Sequence, residues 1–273
     1  MGKILHSLEG VEYSFEPPML FSLFALMEKI DCSAWRLLYE TYLYEEFFIN
    51  ALSGRHLNCN RGDDSSIFAV KSMSEVDKRL ACSIGKSEAE KIAANSVLAY
   101  KMPDVVPFLS LLKQYYPQTR LVMMRRNAID TFHSIKCKGW FSDAMLRNEN
   151  LNWPNTFING LRVPFWVKPQ DHEKWAAMDE LHRIAYYYLQ TNGDISVLKP
   201  SLVIDYDEFV TAPHETVTTL AKTLGLQFGA KTEEVLATVS KTDKERPASL
   251  LDGLEPLVKA QVEKYSSSQH IRL

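Results

Sequence analysis

Residues 100–140 read YKMPDVVPFLSLLKQYYPQTRLVMMRRNAIDTFHSIKCKGW, and this stretch decides the fold class. An apolar, amphipathic segment over 105–116 is stopped by Pro117. A short β-type run over 120–124 follows, and a second helix-like segment begins just after Arg126. A strand that passes through an arginine into a helix is typical of α/β proteins with a parallel sheet.

The same turn predicts an anion site. The guanidinium of Arg126 offers fixed, fork-shaped donors, and the start of the following helix adds free N–H groups with a positive dipole end. Ser134 lies eight residues after Arg126, about two helical turns on. We therefore expect the guanidinium and the hydroxyl to hold opposite sides of one phosphate.

Length and composition indicate one globular α/β domain over residues 1–273, because a chain of 273 residues builds a sizeable single core. Apolar residues make up 46% and charged residues 24%. The 31 basic and 34 acidic residues give a net charge of −3, which argues against nucleic acid as a partner. Any anion binding must therefore be local.

The four cysteines, Cys32, Cys59, Cys82 and Cys137, show no CxxC spacing and no zinc-type pairing with histidine. We interpret them as free thiols of a reducing compartment, and no metal is expected. No apolar run approaches the roughly 20 residues that cross a bilayer, and the N-terminus lacks the apolar core of a signal peptide. These features predict a cytoplasmic protein without a membrane span.

Hydrophobic patterning predicts alternating helices and strands along the rest of the chain. We expect helices over 2–8, 19–30, 34–52, 74–95 with an interruption near Gly85, 172–190 and 213–224, strands over 11–15, 97–101 and 201–204, and an irregular loop or lid over 148–171. Strands that alternate with helices predict a mostly parallel sheet flanked by helices on both faces.

Ligands of such sheets bind beyond the carboxyl ends of the strands, so the residues at those ends define one expected site. They are Glu16, Lys101, the pair at 125–126 and the run at 205–207. An acid can take a proton from an acceptor, and a lysine can stabilise charge on a leaving oxygen. This set suits the transfer of an anionic group from a phosphorylated donor.

The pattern Lys101…Pro117…Arg126-Asn127-x-x-Asp130-x-x-x-Ser134 resembles the sulfotransferases that use 3′-phosphoadenosine 5′-phosphosulfate (PAPS). The resemblance implies a P-loop-like fold and sulfuryl transfer from PAPS, as co-substrate, to an acceptor hydroxyl or amine. It implies that Arg126 and Ser134 bind the 3′-phosphate.

Further segments extend the resemblance over roughly residues 1–250. The run at 206–209, followed by Pro213 and a helix that ends at Leu224-Gly225, is similar to a later strand-and-helix segment of the family. The run at 14–17 resembles the acid-bearing strand of Golgi-type and bacterial members, which implies that Glu16 is the general base. Lys101 would support the leaving phosphate or the transferring group.

Two more segments correspond to loops of the family. Lys241 and Arg246 lie where a late basic loop closes over the nucleotide, and the segment over 152–175 lies where acceptors are contacted. Members of the family sulfate small molecules, carbohydrates and peptides, so the acceptor class stays open, as does the oligomeric state.

One family feature is missing from the sequence. The loop that binds the 5′-phosphosulfate, which follows the first strand of the family, has no counterpart, and the chain opens on a segment typical of the helix after it. Ser83–Ser87 is no substitute, because it lacks the upstream glycine and follows no strand. The expectation is an N-terminus without the first strand and loop, through truncation or in a natural pseudoenzyme.

Three alternatives stay open at this point: a small-molecule kinase of related fold, an inactive or truncated sulfotransferase-like nucleotide-binding module, and an interaction protein that uses the aromatic helices over 19–52. Individual residues also have structural interpretations. Arg126 can pair with Asp130 four residues on, Glu16 can cap the following helix, and Arg125 and His133 are more typical of structural or solvent-facing side chains.

Overall fold

The computed structural model describes residues 1–63, 65–81, 84–148, 154–193, 195–240 and 247–267. In chain order, the strands of this part are β1 (Val11–Phe15), β2 (Val97–Lys101), β3 (Val122–Arg125), β4 (Asn155–Ile158), β5 (Leu161–Pro164) and β6 (Leu202–Asp205).

Helices make up most of the remaining described residues. They are α1 (Gly2–Ser7), α2 (Pro18–Leu26), α3 (Cys32–Thr41), α4 (Asn50–Leu52), α5 (Met73–Leu80), α6 (Lys86–Ala93), α7 (Leu109–Tyr115), α8 (Ala128–Lys138), α9 (Asp143–Leu146), α10 (His172–Ala177), α11 (Glu180–Asn192), α12 (Tyr206–Thr211), α13 (Pro213–Leu224), α14 (Thr232–Leu236) and α15 (Pro256–Ser267). A π-helical segment, Tyr42–Ile49, joins α3 to α4, and 3-10 turns cover Ile67–Ala69, Pro103–Phe108, Pro169–Asp171, Ile195–Leu198 and Ala248–Leu251.

The chain forms two compact units, each assembled from two stretches of sequence. The first contains Met1–Met102 and Glu208–Ser240, and the second contains Pro103–Asp207 and the described part of Lys241–Leu273. The expectation of one domain stays a prediction.

Each unit contains a small parallel sheet. In the first unit β1 pairs with β2 in a register that sets Val11 opposite Val97 and Phe15 opposite Lys101. In the second unit β3 pairs with β6. All four strands were predicted within one or two residues, and their mixture with helices confirms the α/β class.

The predicted loop or lid over 148–171 is wrong for its described part, because β4 and β5 form an antiparallel hairpin there. Asn159 and Gly160 connect the strands with φ angles of 51° and 75°. Two residues with positive φ form the type I′ turn that suits a two-residue hairpin, and asparagine followed by glycine is its strongest sequence signal.

The single helix predicted over 172–190 is also wrong in one respect, because it is two helices, α10 and α11. Met178 has an extended backbone, and the Asp179 carboxylate accepts a hydrogen bond of 2.8 Å from the His182 N–H. An aspartate in this position starts a new helix by satisfying one of its free amides.

Aromatic side chains dominate the core of the second unit. Trp166 and Trp175 are buried with Tyr187 and Tyr188, so these four side chains are packing residues of the core. Arg183, only 1% exposed, is bonded to Asp143 at 2.6 Å and to the carbonyl oxygens of Phe141, Trp175 and Ala176.

A buried ionic cluster holds the first unit together around Glu12 of β1. The Glu12 carboxylate receives two hydrogen bonds from the Arg79 guanidinium, at 2.6 and 3.1 Å, and Lys71 Nζ lies 3.8 Å away. His6 Nε2 lies 3.5 Å from the other carboxylate oxygen. Burial alone would raise the pKa of Glu12, but His6, Arg79 and Lys71 outweigh it and hold that pKa well below its usual range.

We predict that Glu12→Gln lowers the free energy of unfolding, measured in urea, by about 3–5 kcal/mol, since it leaves buried cations without their counter-charge. The matched control is Glu40→Gln, which breaks the exposed pair Arg36–Glu40. That change is expected to lower stability by less than about 0.5 kcal/mol. Equal effects of the two substitutions would contradict the assignment.

The depressed pKa of Glu12 also fixes the sign of a pH dependence. Its contribution to stability is complete above the unfolded carboxyl pKa of 4.5 and is lost as pH falls below that value towards the lower folded pKa. The stability difference between the native protein and Glu12→Gln should therefore shrink in acid and stay constant above about pH 6.

Candidate active site

The turn between β3 and α8 is built by a side-chain cap. Asn127 precedes α8, and its Oδ1 accepts a hydrogen bond of 2.8 Å from the Asp130 N–H. Capping of this kind satisfies an amide that the helix cannot use and makes the chain enter α8 directly after Arg126.

The expectation of free N–H groups at the start of α8 is wrong for two amides. The Asp130 N–H is taken by Asn127, and the Ala128 N–H donates to Ser266 Oγ at 3.0 Å. Ser266 belongs to α15, which is distant in sequence. The helix start is thus largely satisfied by the protein itself, so an anion at this turn would depend mainly on side-chain donors.

Arg126 is held between a carboxylate and an aromatic ring. Its Nη2 lies 3.4 Å from Asp130 Oδ2, and its guanidinium carbon lies 4.6 Å from the centre of the Tyr206 ring. The side chain is 29% exposed, and its buried Nε has no hydrogen-bond partner among the described residues. The ion pair with Asp130 that the sequence allowed is therefore present. It leaves the Nε donor of the guanidinium without a hydrogen-bond acceptor among the described residues.

The two arginines of the turn have different surroundings. Arg125 donates through Nη2 to the main-chain carbonyl oxygen of Tyr265. The guanidinium of Arg126 instead contacts two side chains, those of Asp130 and Tyr206. The contact with Tyr265 supports the interpretation of Arg125 as structural. Arg126 is the better candidate for a ligand contact.

Ser134 lies on the half-buried side of α8. The helix buries Ala128, Phe132 and Ile135. Asp130 and Ser134 are four residues apart, so their side chains follow one another along the opposite face, about 6 Å apart along the axis. The structure thus brings Arg126 and Asp130 into contact and places Ser134 one turn further on.

The strand ends of the second unit meet as the sheet rule predicts. The register of β3 and β6 sets Arg125 opposite Asp205, and Asn127 Nδ2 donates to Asp207 Oδ2 at 3.3 Å. Sequence reasoning grouped residues 205–207 with the arginines but missed the role of Tyr206 as an aromatic partner. The run at 206–209, which resembles a segment of the family, was the available signal, but the sequence did not indicate what Tyr206 contacts.

Glu16 and Lys101 come together in the first unit, at the adjacent ends of β1 and β2. The Glu16 N–H donates to the Lys101 carbonyl oxygen at 3.0 Å, and Lys101 Nζ lies 5.1 Å from the centre of the Phe15 ring. Glu16 has a φ of 46°, which is uncommon for a residue with a side chain and marks a strained position. Burial and then the charge of Glu16 raise the pKa of Tyr13.

A partly buried pair of tyrosines on β2 and α3 escaped sequence reasoning. The hydroxyl groups of Tyr39 and Tyr100 lie 2.7 Å apart, and burial raises the pKa of Tyr100 to about 12. Tyr100 immediately precedes Lys101, so this hydrogen bond helps to fix the end of the strand. Nothing in the sequence pairs residues 39 and 100.

Two predicted nucleotide contacts, Lys241 and Arg246, lie outside the described residues. Within the described part of the chain, no group of three or more His, Cys, Asp or Glu side chains could hold a metal ion. None of the helices among these residues has the length and apolar character needed to cross a membrane.

A comparison with protein families gives a match between residues 27–230 and the model described as "Sulfotransferase family". The chain belongs to the sulfotransferase family. This sulfotransferase match includes Lys101, Arg126 and Ser134, whereas Glu16, Lys241 and Arg246 lie outside the matched range. Neither a curated protein nor a solved structure matches the chain.

We predict that Asn127→Ala lowers the free energy of unfolding of this sulfotransferase by about 0.5–2 kcal/mol, because α8 loses its cap. Asn127→Ser is the matched control, since serine caps helices about as well as asparagine. Chemical denaturation measures both variants. If serine proved as destabilising as alanine, the cap would not be the reason for asparagine at this position.

Proposed function

We propose that the chain transfers a sulfuryl group from PAPS to an acceptor hydroxyl or, less often, an amine. The observation that carries the proposal is the family match over 27–230, which includes the turn from β3 into α8. The contacts of Arg126 support the choice of a phosphorylated donor, because its side chain is partly exposed, its Nε has no partner among the described residues, and a guanidinium suits a phosphate.

The proposed donor contacts are Arg126 and Ser134, which would bind the 3′-phosphate from the polar side of α8. Asp130 and Tyr206 hold the guanidinium before the ligand arrives, so little side-chain freedom is lost on binding. Lys241 and Arg246 are proposed as further contacts of the nucleotide, in line with the family resemblance.

The proposed reaction is an in-line displacement at sulfur. A carboxylate oxygen of Glu16 takes the proton of the acceptor hydroxyl, and the acceptor oxygen forms a new bond to sulfur. The bond between sulfur and the phosphate oxygen breaks, and adenosine 3′,5′-bisphosphate leaves with the negative charge. Lys101 stabilises this developing charge. The hydrogen bond between the main chains of Glu16 and Lys101 supports paired roles, because it joins the two residues at one sheet edge.

The proposed fold type is P-loop-like, without the first strand and the phosphosulfate loop of the family. The edge of β2 supports this. The main-chain hydrogen-bonding groups of Val97 and Lys101 face β1. Those of the alternate residues Leu98 and Tyr100 therefore face the opposite edge of β2. Among the described strands, β2 pairs only with β1, which leaves this edge able to accept another strand.

The cytoplasm is the proposed compartment, and a small molecule, a carbohydrate or a peptide is the proposed acceptor. Cys32, Cys59 and Cys137 are free thiols, as expected in a reducing environment. Cys82 lies outside the described residues.

We predict that Arg126→Ala weakens binding of adenosine 3′,5′-bisphosphate by about 1.5–3 kcal/mol, the scale of a hydrogen bond to a charged group. Isothermal titration calorimetry on the whole chain measures the affinity. Ser134→Ala should cost less, because it removes one hydrogen bond from a hydroxyl, whereas Arg126→Ala removes a full charge and a group able to donate several.

The neighbouring arginine provides the control for this experiment. Arg125→Ala removes the same charge from the same turn, but Arg125 is committed to the Tyr265 carbonyl, so the affinity should change little. Equal losses for both variants would indicate a general charge effect, and unchanged affinity in Arg126→Ala would remove the assignment. Binding of ATP in place of the bisphosphate would favour a kinase.

We predict that Glu16→Gln lowers the rate of sulfuryl transfer from radiolabelled PAPS by about 10²–10⁴-fold, because the general base is lost. Its affinity for adenosine 3′,5′-bisphosphate should equal that of the native protein, since Glu16 does not contact the nucleotide in this proposal. Native rates in Glu16→Gln would refute the base role. Bisphosphate binding by the native chain without any sulfated product, across hydroxyl and amine acceptors, would favour the binding module.

A further inference from the structure

The polar face of α8 contains a second pair of reactive side chains that the proposed sulfuryl transfer does not use. His133 and Cys137 are four residues apart, and the Cys137 sulfur lies 3.7 Å from Nδ1 and 3.6 Å from Nε2 of the imidazole. Cys137 is exposed and His133 is half-buried. A nucleophile and a base therefore touch at the surface.

We propose that Cys137 is a reactive thiol that forms mixed disulfides with small, soluble disulfides, with His133 as its base. Thiolates rather than thiols are nucleophiles, and a neighbouring imidazole or ammonium group favours the thiolate. Cys137 lies in the last turn of α8, where the helix dipole disfavours a negative charge. The contact with the His133 imidazole opposes that effect.

The chemistry is a thiol–disulfide exchange, and it needs only the disulfide as co-reactant. The imidazole of His133 takes the proton of the thiol, and the Cys137 thiolate attacks one sulfur of the small disulfide. A new sulfur–sulfur bond forms as the old one breaks, and the leaving thiolate collects the proton. The protein is oxidised to the mixed disulfide, and half of the small disulfide is reduced to a thiol.

Such an adduct would lie beside Ser134. Residues three apart on a helix are surface neighbours, so a group attached to Cys137 covers the turn that contains the Ser134 hydroxyl. This second step rests on the proposed function, because Ser134 is there a contact of the 3′-phosphate. An anionic adduct such as glutathione would compete with that phosphate by bulk and by charge.

The native chain is treated with glutathione disulfide at neutral pH, and mass spectrometry follows the adduct at each cysteine. Cys59 is the matched control within the same chain, because it is also exposed but has no contact with an imidazole among the described residues. We expect Cys137 to react at least about fivefold faster than Cys59. His133→Gln should bring the rate at Cys137 close to that of Cys59 without changing Cys59. Equal rates at the two cysteines in the native chain, or an unchanged rate at Cys137 in His133→Gln, would overturn the proposal.

Calorimetry with adenosine 3′,5′-bisphosphate on the glutathione adduct then tests the second step. The native affinity should fall on modification and return after reduction, and Cys137→Ser should be insensitive to the treatment. Rapid modification with unchanged affinity would overturn the coupling but keep the reactive thiol. If the unmodified chain bound no bisphosphate, the proposed function would fail while the rates at Cys137 and Cys59 would still decide the first step.

Discussion

The parallel register of β3 with β6 determines the geometry of the turn on which the donor assignment depends. Because Arg125 stands opposite Asp205, the residues that follow both strands emerge side by side. Tyr206 then lies against the Arg126 guanidinium, and Asn127 reaches Asp207. A slip of one residue would exchange the faces of the side chains and separate these partners. The pairing of β3 with β6 thus positions the Arg126 side chain in the absence of a ligand.

The contact between Arg126 and Asp130 is compatible with a phosphate site on energetic grounds. A partly exposed ion pair at helix spacing contributes only about 0.3–0.5 kcal/mol, and at 3.4 Å the present one is long. A hydrogen bond to a charged group contributes about 1.5–3 kcal/mol. A phosphate that engages the unused donors of the guanidinium therefore outweighs the loss or rearrangement of the carboxylate pair.

Sequence reasoning located the elements whose signals are local. The strands β1, β2, β3 and β6 are short apolar runs with polar ends, and α13 ends at Gly225 with a φ of 64°, as its pattern predicts. The hairpin was missed although Asn159-Gly160 is a strong signal for its turn, because the prolines and tryptophans around it favoured a loop. The break before α11 was missed because the apolar periodicity continues across Asp179.

Long-range contacts had no signal in the sequence. Glu12 reads as a polar residue in a strand, and only folding shows that His6, Lys71 and Arg79 converge on it. In the same way, the pattern at 125–127 shows two equivalent arginines and a helix start with free amides. The structure makes them different by bringing the end of α15 to the turn.

That contact with α15 separates the roles of the two arginines. Tyr265 supplies a carbonyl oxygen to Arg125, and Ser266 supplies a hydroxyl oxygen to the Ala128 N–H, so two donors of the turn are used for folding. Arg126 meets a carboxylate that only partly saturates it and the face of the Tyr206 ring, which is not a conventional hydrogen-bond acceptor. The unused hydrogen-bonding capacity of the turn therefore lies on Arg126 rather than on Arg125, which makes Arg126 the better candidate for a ligand contact.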